Sequence, residues 1–136
     1  MTKDTQRTSA RILVVDDEPD LRTLYELTLL RAGHQVESAG TLAEARDSLG
    51  LRQFDLLITD MRLPDGLGLE LIKELGQQGR SERAIVVTAY GSASSAVEAL
   101  KQGAFDYLTK PVDLKQFRTV VATALQSTPA STASTT

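Results

Sequence analysis

Arg11-Ile-Leu-Val-Val-Asp-Asp-Glu18 opens with a short apolar, β-branched run and stops abruptly on two aspartates. A run of this length and composition reads as a β-strand covered on both faces. The runs Asp55-Leu-Leu-Ile-Thr59 and Ala84-Ile-Val-Val-Thr88 have the same character, and the first of these is also followed by an aspartate, Asp60. Gln35-Val-Glu-Ser-Ala39 is a weaker strand. Phe105-Asp-Tyr-Leu108 is a fifth, bounded by Gly103 and Pro111.

Helical patterns fill the intervals. Leu21, Leu24, Leu27 and Leu30 are expected on one face of a first helix that Pro19 opens and Gly33 closes. Further helices are predicted at Leu42 to Leu49, Leu67 to Leu75, Ser94 to Lys101 and Leu114 to Leu125, the last turning Phe117, Val120, Val121 and Leu125 inward. Five βα units in succession require a parallel sheet with helices on both sides, joined by right-handed crossovers. The expected fold is therefore α/β, a single-domain, doubly wound (βα)5 flavodoxin-like sandwich with a five-stranded parallel sheet in the order 2-1-3-4-5. In that architecture ligands bind at the carboxyl ends of the strands.

The bulk composition agrees. The chain has 136 residues, 41% of them hydrophobic and 24% charged, as in an ordinary soluble domain with one core. A formal net charge of -3 and a pI near 5.1 argue against direct DNA binding by this domain, which needs a concentrated basic surface. Without cysteine there is neither a disulfide framework nor a thiolate metal site. No apolar run approaches the ~20 residues that span a bilayer, and no secretory signal is visible, so a cytoplasmic location is expected. Met1 to Ala10 reads as a flexible N-terminal tail, residues 11–126 as the folded domain, and residues 127–136 as a Ser/Thr/Ala-rich linker or disordered tail. Such a tail suits a domain cut from a longer chain or a flexible natural terminus.

Chemistry converges at the strand ends. Asp16 and Asp17 follow the first strand, Asp60 the third, Thr88 closes the fourth, and Lys110 follows the fifth. Each has an ordinary structural reading: the first two aspartates cap the following helix, Asp60 serves the Leu63-Pro-Asp-Gly66 turn, Thr88 fills the core, and Lys110-Pro111 makes a solvated bend. Together those readings would gather three carboxylates by accident, although charges about 4 Å apart repel by about 4 kcal/mol per pair at an effective dielectric of about 20. A bound cation removes that conflict. Hard oxygen ligands without His or Cys favour Mg²⁺ or Mn²⁺, whose open positions accept phosphate oxygens. Lys110 and Thr88 then offer an ammonium and a hydroxyl to a phosphoryl group, and Asp60 becomes the natural nucleophile for an aspartyl phosphate.

Val14-Val-Asp-Asp-Glu18, Thr59-Asp-Met-Arg-Leu-Pro-Asp-Gly66, Val87-Thr-Ala89 and Thr109-Lys-Pro111 resemble the receiver domain of two-component response regulators, over residues Arg11 to Gln126. The resemblance implies a regulatory phosphoacceptor that takes a phosphoryl group from a sensor histidine kinase on Asp60. It implies no enzyme beyond catalysis of its own phosphorylation and dephosphorylation. By the same resemblance Asp17, Asp60 and the backbone carbonyl of Arg62 hold Mg²⁺, with Asp16 assisting through water, while Thr88 and Lys110 contact the phosphoryl group. A cis peptide before Pro111 and an aromatic switch at Tyr107 are implied too, although Tyr107 alone reads as plain packing. Ala89-Tyr-Gly-Ser92 and Gly103-Ala-Phe-Asp-Tyr-Leu-Thr-Lys-Pro-Val-Asp-Leu114 are similar to the NtrC class, and within it to regulators of type IV pili. That class implies output domains absent from this chain, an ATPase and a helix-turn-helix, and a phosphorylation-dependent homodimer. The small polar stretch Gly91 to Ser95 is expected to let the fourth helix shift at low cost.

Two rival classes stand beside this reading. A Mg²⁺-dependent phosphatase that forms an aspartyl phosphate would usually carry a second Asp where Arg62 stands. A phosphate-independent binding module would keep the fold and not the chemistry. A nucleotide site is disfavoured because no glycine-rich phosphate loop follows the first strand. His34 has no companion at metal spacing and reads as a surface residue.

Overall fold

The computed structural model describes residues 9–89 and 93–126. Most of the N-terminal tail, residues 90–92, which include the start of the small polar stretch Gly91 to Ser95, and the C-terminal tail lie outside these residues. In chain order the elements are β1 (Arg11–Val15), α1 (Pro19–Arg31), β2 (Gln35–Ala39), α2 (Leu42–Leu51), β3 (Leu56–Asp60), β4 (Arg62–Leu63), β5 (Gly66–Leu67), α3 (Leu69–Gln77), β6 (Arg83–Thr88), α4 (Ala93–Lys101), β7 (Asp106–Thr109) and α5 (Leu114–Gln126). The parallel sheet runs β2-β1-β3-β6-β7, which is the expected 2-1-3-4-5 once the short β4–β5 ribbon is set aside. That antiparallel ribbon, Arg62 opposite Leu67 and Leu63 opposite Gly66, was not foreseen, and it delays α3 to Leu69.

Why the sheet is parallel follows from its side chains. β3 is buried at every position, and β1 and β6 are buried at all but their first. Successive residues point to opposite faces, so each strand feeds two cores. Leu13, Val15, Leu57, Ala84 and Val86 join Leu42 and Leu49 of α2, Leu71 and Leu75 of α3 and Ala99 of α4. Ile12, Val14, Leu56, Ile58, Ile85 and Val87 join Tyr25 and Leu29 of α1 and Phe117, Val121 and Ala124 of α5. A one-residue slip of any central strand would exchange its two faces, which fixes the register.

The leucine face expected on α1 is a correction. Tyr25, Thr28 and Leu29 are buried, whereas Leu24, Leu27 and Leu30 are 39%, 50% and 51% exposed. Three residues advance a helix by about 300°, so each leucine falls back about 60° and Leu30 ends opposite Leu21. The helix does begin at Pro19, and Gly33, at φ 95°, takes the chain out of it. On α5, Phe117 and Val121 are buried as expected, Val120 and Leu125 are half-buried, and Ala124 completes the apolar face.

Long-range caps tie the layers together. Thr41 caps α2 by accepting from the Glu44 N–H at 3.1 Å, and the Asp65 carboxylate accepts from the N–H groups of Leu42 and Ala43 at 2.8 and 3.1 Å. Those backbone hydrogen bonds, that of Leu42 foremost, hold the Asp65 carboxyl below the usual range. At the other end of α2, Arg80 donates to the carbonyls of Leu49 and Arg52 at 2.6 and 3.0 Å.

His34 is half-buried, not a free surface residue: its Nδ1 accepts the Ala10 N–H at 3.1 Å. Burial lowers its pKa, and the nearby Asp55 charge offsets part of that. The folded pKa thus lies below the unfolded value near 6.5, so stability present above about pH 6.5 is lost as pH falls toward the folded pKa. Urea unfolding of the wild type should show this loss as pH falls below about 6.5, and His34→Gln should flatten it.

Candidate functional site

The edge of the sheet where the strands end carries the site. Parallel pairing sets Asp60 beside Val87 and Thr88 beside Thr109, and the next backbone links continue the alignment: Met61 N–H to Val87 O at 2.9 Å and Lys110 N–H to Thr88 O at 2.8 Å. Asp16 N–H reaches Ala39 O at 3.0 Å on the far side. The loops that leave β1, β3 and β7 therefore start from one line.

Carboxylate oxygens of Asp16, Asp17 and Asp60 lie within 4.8 Å of one another. Asp16 and Asp60 are buried, at 1% and 8% exposure, while Asp17 faces solvent. Lys110 extends its ammonium into the cluster, with Nζ 2.9 Å from Asp60 Oδ2, 2.9 Å from Glu18 Oε1 and 3.2 Å from Asp16 Oδ2. Burial alone would lower the Lys110 pKa, but hydrogen bonds to Asp60 and Glu18 and the charges of Asp60 and Asp16 outweigh it and hold the ammonium above the ordinary lysine range. Asp16 is also shifted upward, which for a carboxyl disfavours the charged form. Desolvation raises its pKa, against the opposing pull of the Glu18 N–H and of Lys110, and the charge of Asp60 adds to the rise. The repulsion expected among the carboxylates is thus met in this state by the protein's own cation.

All the predicted acidic and basic residues come together. Thr88 is fully buried at the end of β6. Arg62 is exposed, and its N–H lies 3.4 Å from Asp60 Oδ1. Tyr107 is half-buried against the α2–α3–α4 core. The Lys110-Pro111 peptide is cis. The capping reading of Asp16 does not hold, since the N-cap of α1 is Glu18 and has no side-chain cap; Asp16 Oδ1 instead accepts the Glu18 N–H at 2.9 Å in the turn before the helix.

Two contributors escaped the sequence reading. Glu18 was visible only as the third acid of a run, and its ion pair with Lys110 joins residues 92 apart. Gly68 brings the loop after β5 against the base of the site, donating to Met61 O at 2.8 Å. A Cβ there would overlap the carbonyl oxygen of Asp60 and crowd the Thr59 hydroxyl, which itself donates to that carbonyl at 3.0 Å.

A doubly wound parallel sheet whose strand ends gather three aspartates, a buried threonine and a lysine defines a receiver module. The chain belongs to the response regulator receiver domain family, whose sequence profile matches residues 12–122. It is 52% identical to the response regulator protein PilR of Pseudomonas aeruginosa over 116 residues, 85% of this chain and 26% of that protein. It is 40% identical to the DNA-binding transcriptional regulator NtrC of Azospirillum brasilense over 119 residues, 88% of this chain and 25% of that protein. The chain therefore spans about a quarter of the length of these relatives. Among solved structures, the beryllofluoride-activated NtrC4 receiver domain dimer superposes with a TM-score of 0.81 at 32% identity, covering 85% of this chain and 96% of that one. The Francisella response regulator 1452 receiver domain gives 0.81 at 26% identity, covering 86% and 97%. The protein is a regulatory signalling module, and no helix among its described residues is long and apolar enough to cross a membrane.

Gly68→Ala should lower the unfolding free energy by about 1–3 kcal/mol in urea denaturation, because the overlap falls on backbone that cannot rotate away. An unchanged midpoint would mean that the loop is free to move off Asp60.

Proposed function

We propose that this domain is a phosphorylation-dependent switch in which Asp60 accepts a phosphoryl group from the phosphohistidine of a sensor kinase. One observation carries the proposal: Asp60, nearly buried, holds one carboxylate oxygen 2.9 Å from Lys110 within a cluster that also contains Asp16 and Asp17. An Asp60 oxygen forms the new bond to phosphorus while the phosphorus–nitrogen bond of the phosphohistidine breaks, and the imidazole leaves.

Oxygen donors alone, with no nitrogen or sulfur ligand in the cluster, fit Mg²⁺ or Mn²⁺. Asp17, Asp60 and the backbone carbonyl of Arg62 would hold the ion, with Asp16 acting through water. When bound, it offsets charge on the phosphoryl oxygens. Lys110 gives up part of its contact with the carboxylates and pairs with a phosphoryl oxygen, and Thr88 donates its hydroxyl to another. The only chemistry assigned to the domain is its own phosphorylation and dephosphorylation.

A phosphoryl group brings roughly -1.5 to -2 charge, which draws Thr88 and Lys110 inward. Thr88 ends β6 and Lys110 follows β7, the strands that flank α4, so their movement repacks α4, β7 and α5, with Tyr107 on β7 as the ring that responds. Shifting such an element from 1:99 to 99:1 takes about 5.5 kcal/mol, within reach of a few charge-assisted hydrogen bonds. Val97 and Leu100 of α4, each 50% exposed, offer this face an apolar surface for a homodimer. The likeness to PilR and NtrC supports output domains of that class beyond this chain, an ATPase and a helix-turn-helix controlling transcription in the cytoplasm.

Incubation with acetyl phosphate and Mg²⁺ should add one phosphoryl mass to the wild type, and none to Asp60→Asn or to an EDTA-treated sample. A folded wild type that never gains mass, even with a cognate kinase and rapid loss ruled out, would leave a phosphate-independent binding module. Asp17→Asn should separately abolish the rise in melting temperature that Mg²⁺ gives the wild type, as read by calorimetry.

A further inference from the structure

Asp65 is exposed, yet both of its carboxylate oxygens are engaged by the protein: Oδ1 accepts the Leu42 N–H at 2.8 Å and Oδ2 the Ala43 N–H at 3.1 Å. These donors belong to the first turn of α2, where N–H groups have no acceptor within the helix. A carboxylate there also meets the positive end of the helix dipole. The helix has a cap of its own in Thr41, so the Asp65 contacts do more than end a helix. They fasten the segment that carries Asp65.

That segment is the tip of the β4–β5 ribbon. Pro64 and Asp65 make the two-residue turn between the paired Leu63 and Gly66. Gly66, at φ 150°, comes so close to α2 that a Cβ would stand 2.6 Å from Leu42 Cδ1. The base of the ribbon is tied to the acidic site instead. Gly68 N–H reaches Met61 O at 2.8 Å, and Arg62 N–H lies 3.4 Å from Asp60 Oδ1.

Register decides where Arg62 directs its backbone. Antiparallel pairs alternate between hydrogen-bonded and non-hydrogen-bonded. The Gly68–Met61 bond makes that pair a hydrogen-bonded rung, so the next pair, Arg62 opposite Leu67, is a non-hydrogen-bonded one whose backbone groups turn outward from the ribbon. Two amides agree: Leu67 N–H goes to Glu70 Oε2 at 3.0 Å, and Arg62 N–H faces Asp60. The N–H and C=O of one strand residue point to the same side, so the Arg62 carbonyl is turned toward the Asp60 side as well. It rides on a two-residue strand anchored near Asp60 at one end and by Asp65 at the other.

We propose that Asp65 is a positioning residue of the metal site: by pinning the ribbon tip to the N-terminus of α2, it fixes the Arg62 carbonyl beside Asp60. Without that anchor the ribbon pivots on its base and the carbonyl loses its place relative to Asp17 and Asp60. Mg²⁺ tolerates such slack poorly, because it demands near-ideal octahedral geometry. Groups that orient metal ligands from outside the coordination shell are commonly worth about 10–100-fold in affinity. This role rests on the reading of Asp17, Asp60 and the Arg62 carbonyl as the Mg²⁺ ligands.

The test is calorimetric titration of Mg²⁺ into the wild type and three variants, with a urea midpoint measured for each. Asp65→Ala loses both bonds and should bind Mg²⁺ about tenfold more weakly than the wild type. Asp65→Asn loses the same charge but keeps one acceptor for α2, so its affinity should fall between the two. Thr41→Ala removes the helix's own cap; its midpoint should drop while its Mg²⁺ affinity stays at the wild-type value. Equal weakening in Asp65→Ala and Asp65→Asn would assign the effect to charge, and equal weakening in Thr41→Ala would assign it to the helix end; either result overturns the proposal, as does wild-type affinity in Asp65→Ala. If Asp65→Ala does not fold, Asp65→Asn decides: it must bind Mg²⁺ more weakly than Thr41→Ala, or the proposal fails. A folded wild type that binds no Mg²⁺ would overturn the metal site itself, and this role with it.

Discussion

The ammonium of Lys110 lies within 3.2 Å of carboxylate oxygens from Asp16, Glu18 and Asp60, and it is the only cation in that set. The doubly wound sheet makes such a contact necessary. Parallel strands all end at one edge, so residues that follow β1, β3 and β7 are neighbours whatever their separation in sequence. Carboxylates delivered there are partly desolvated by the two helical layers, and Asp16 shows the cost in its raised pKa. One ammonium against the four carboxylates of Asp16, Asp17, Glu18 and Asp60 leaves the site negative, hence receptive to a metal ion. It also leaves the lysine able to change partners.

Most of this was legible before any coordinates. The central strands announce themselves because burial on both faces permits continuous apolar runs, and the βα alternation then forces a parallel order. Asp16, Asp17, Asp60, Thr88 and Lys110 could be placed together because strand ends are the most position-specific feature of such a fold. Resemblance to the receiver family supplied their roles and the cis peptide before Pro111.

What stayed hidden depends on contacts between distant segments. Spacing by three suggested a leucine face on α1 that 3.6-residue geometry does not maintain, and Tyr25 and Leu29 form the buried face instead. Asp65 looked like a turn residue yet caps α2 from 22 and 23 residues away. Gly68 carries no local turn signal: its φ is -58°, and only the approach of Asp60 O and the Thr59 side chain makes a Cβ costly. His34 looked exposed because its partner, the Ala10 N–H, is 24 residues off. Pairings of this kind have no periodicity for a sequence reading to detect.

The two cores also give the site unequal support. On the α1–α5 side the interior contains Tyr25 stacked on Phe117, and on the other side aliphatic side chains dominate. The central proposal is that the Lys110 ammonium and a metal ion compete for the same carboxylates. Its most direct test is the Mg²⁺ affinity of Lys110→Met, which keeps the stem and removes the charge, followed by chemical shifts of the Asp16, Asp17 and Asp60 amides. Tighter Mg²⁺ binding than in the wild type is the predicted result, because the carboxylates no longer have a competing cation. Equal or weaker binding by a folded variant would contradict the account.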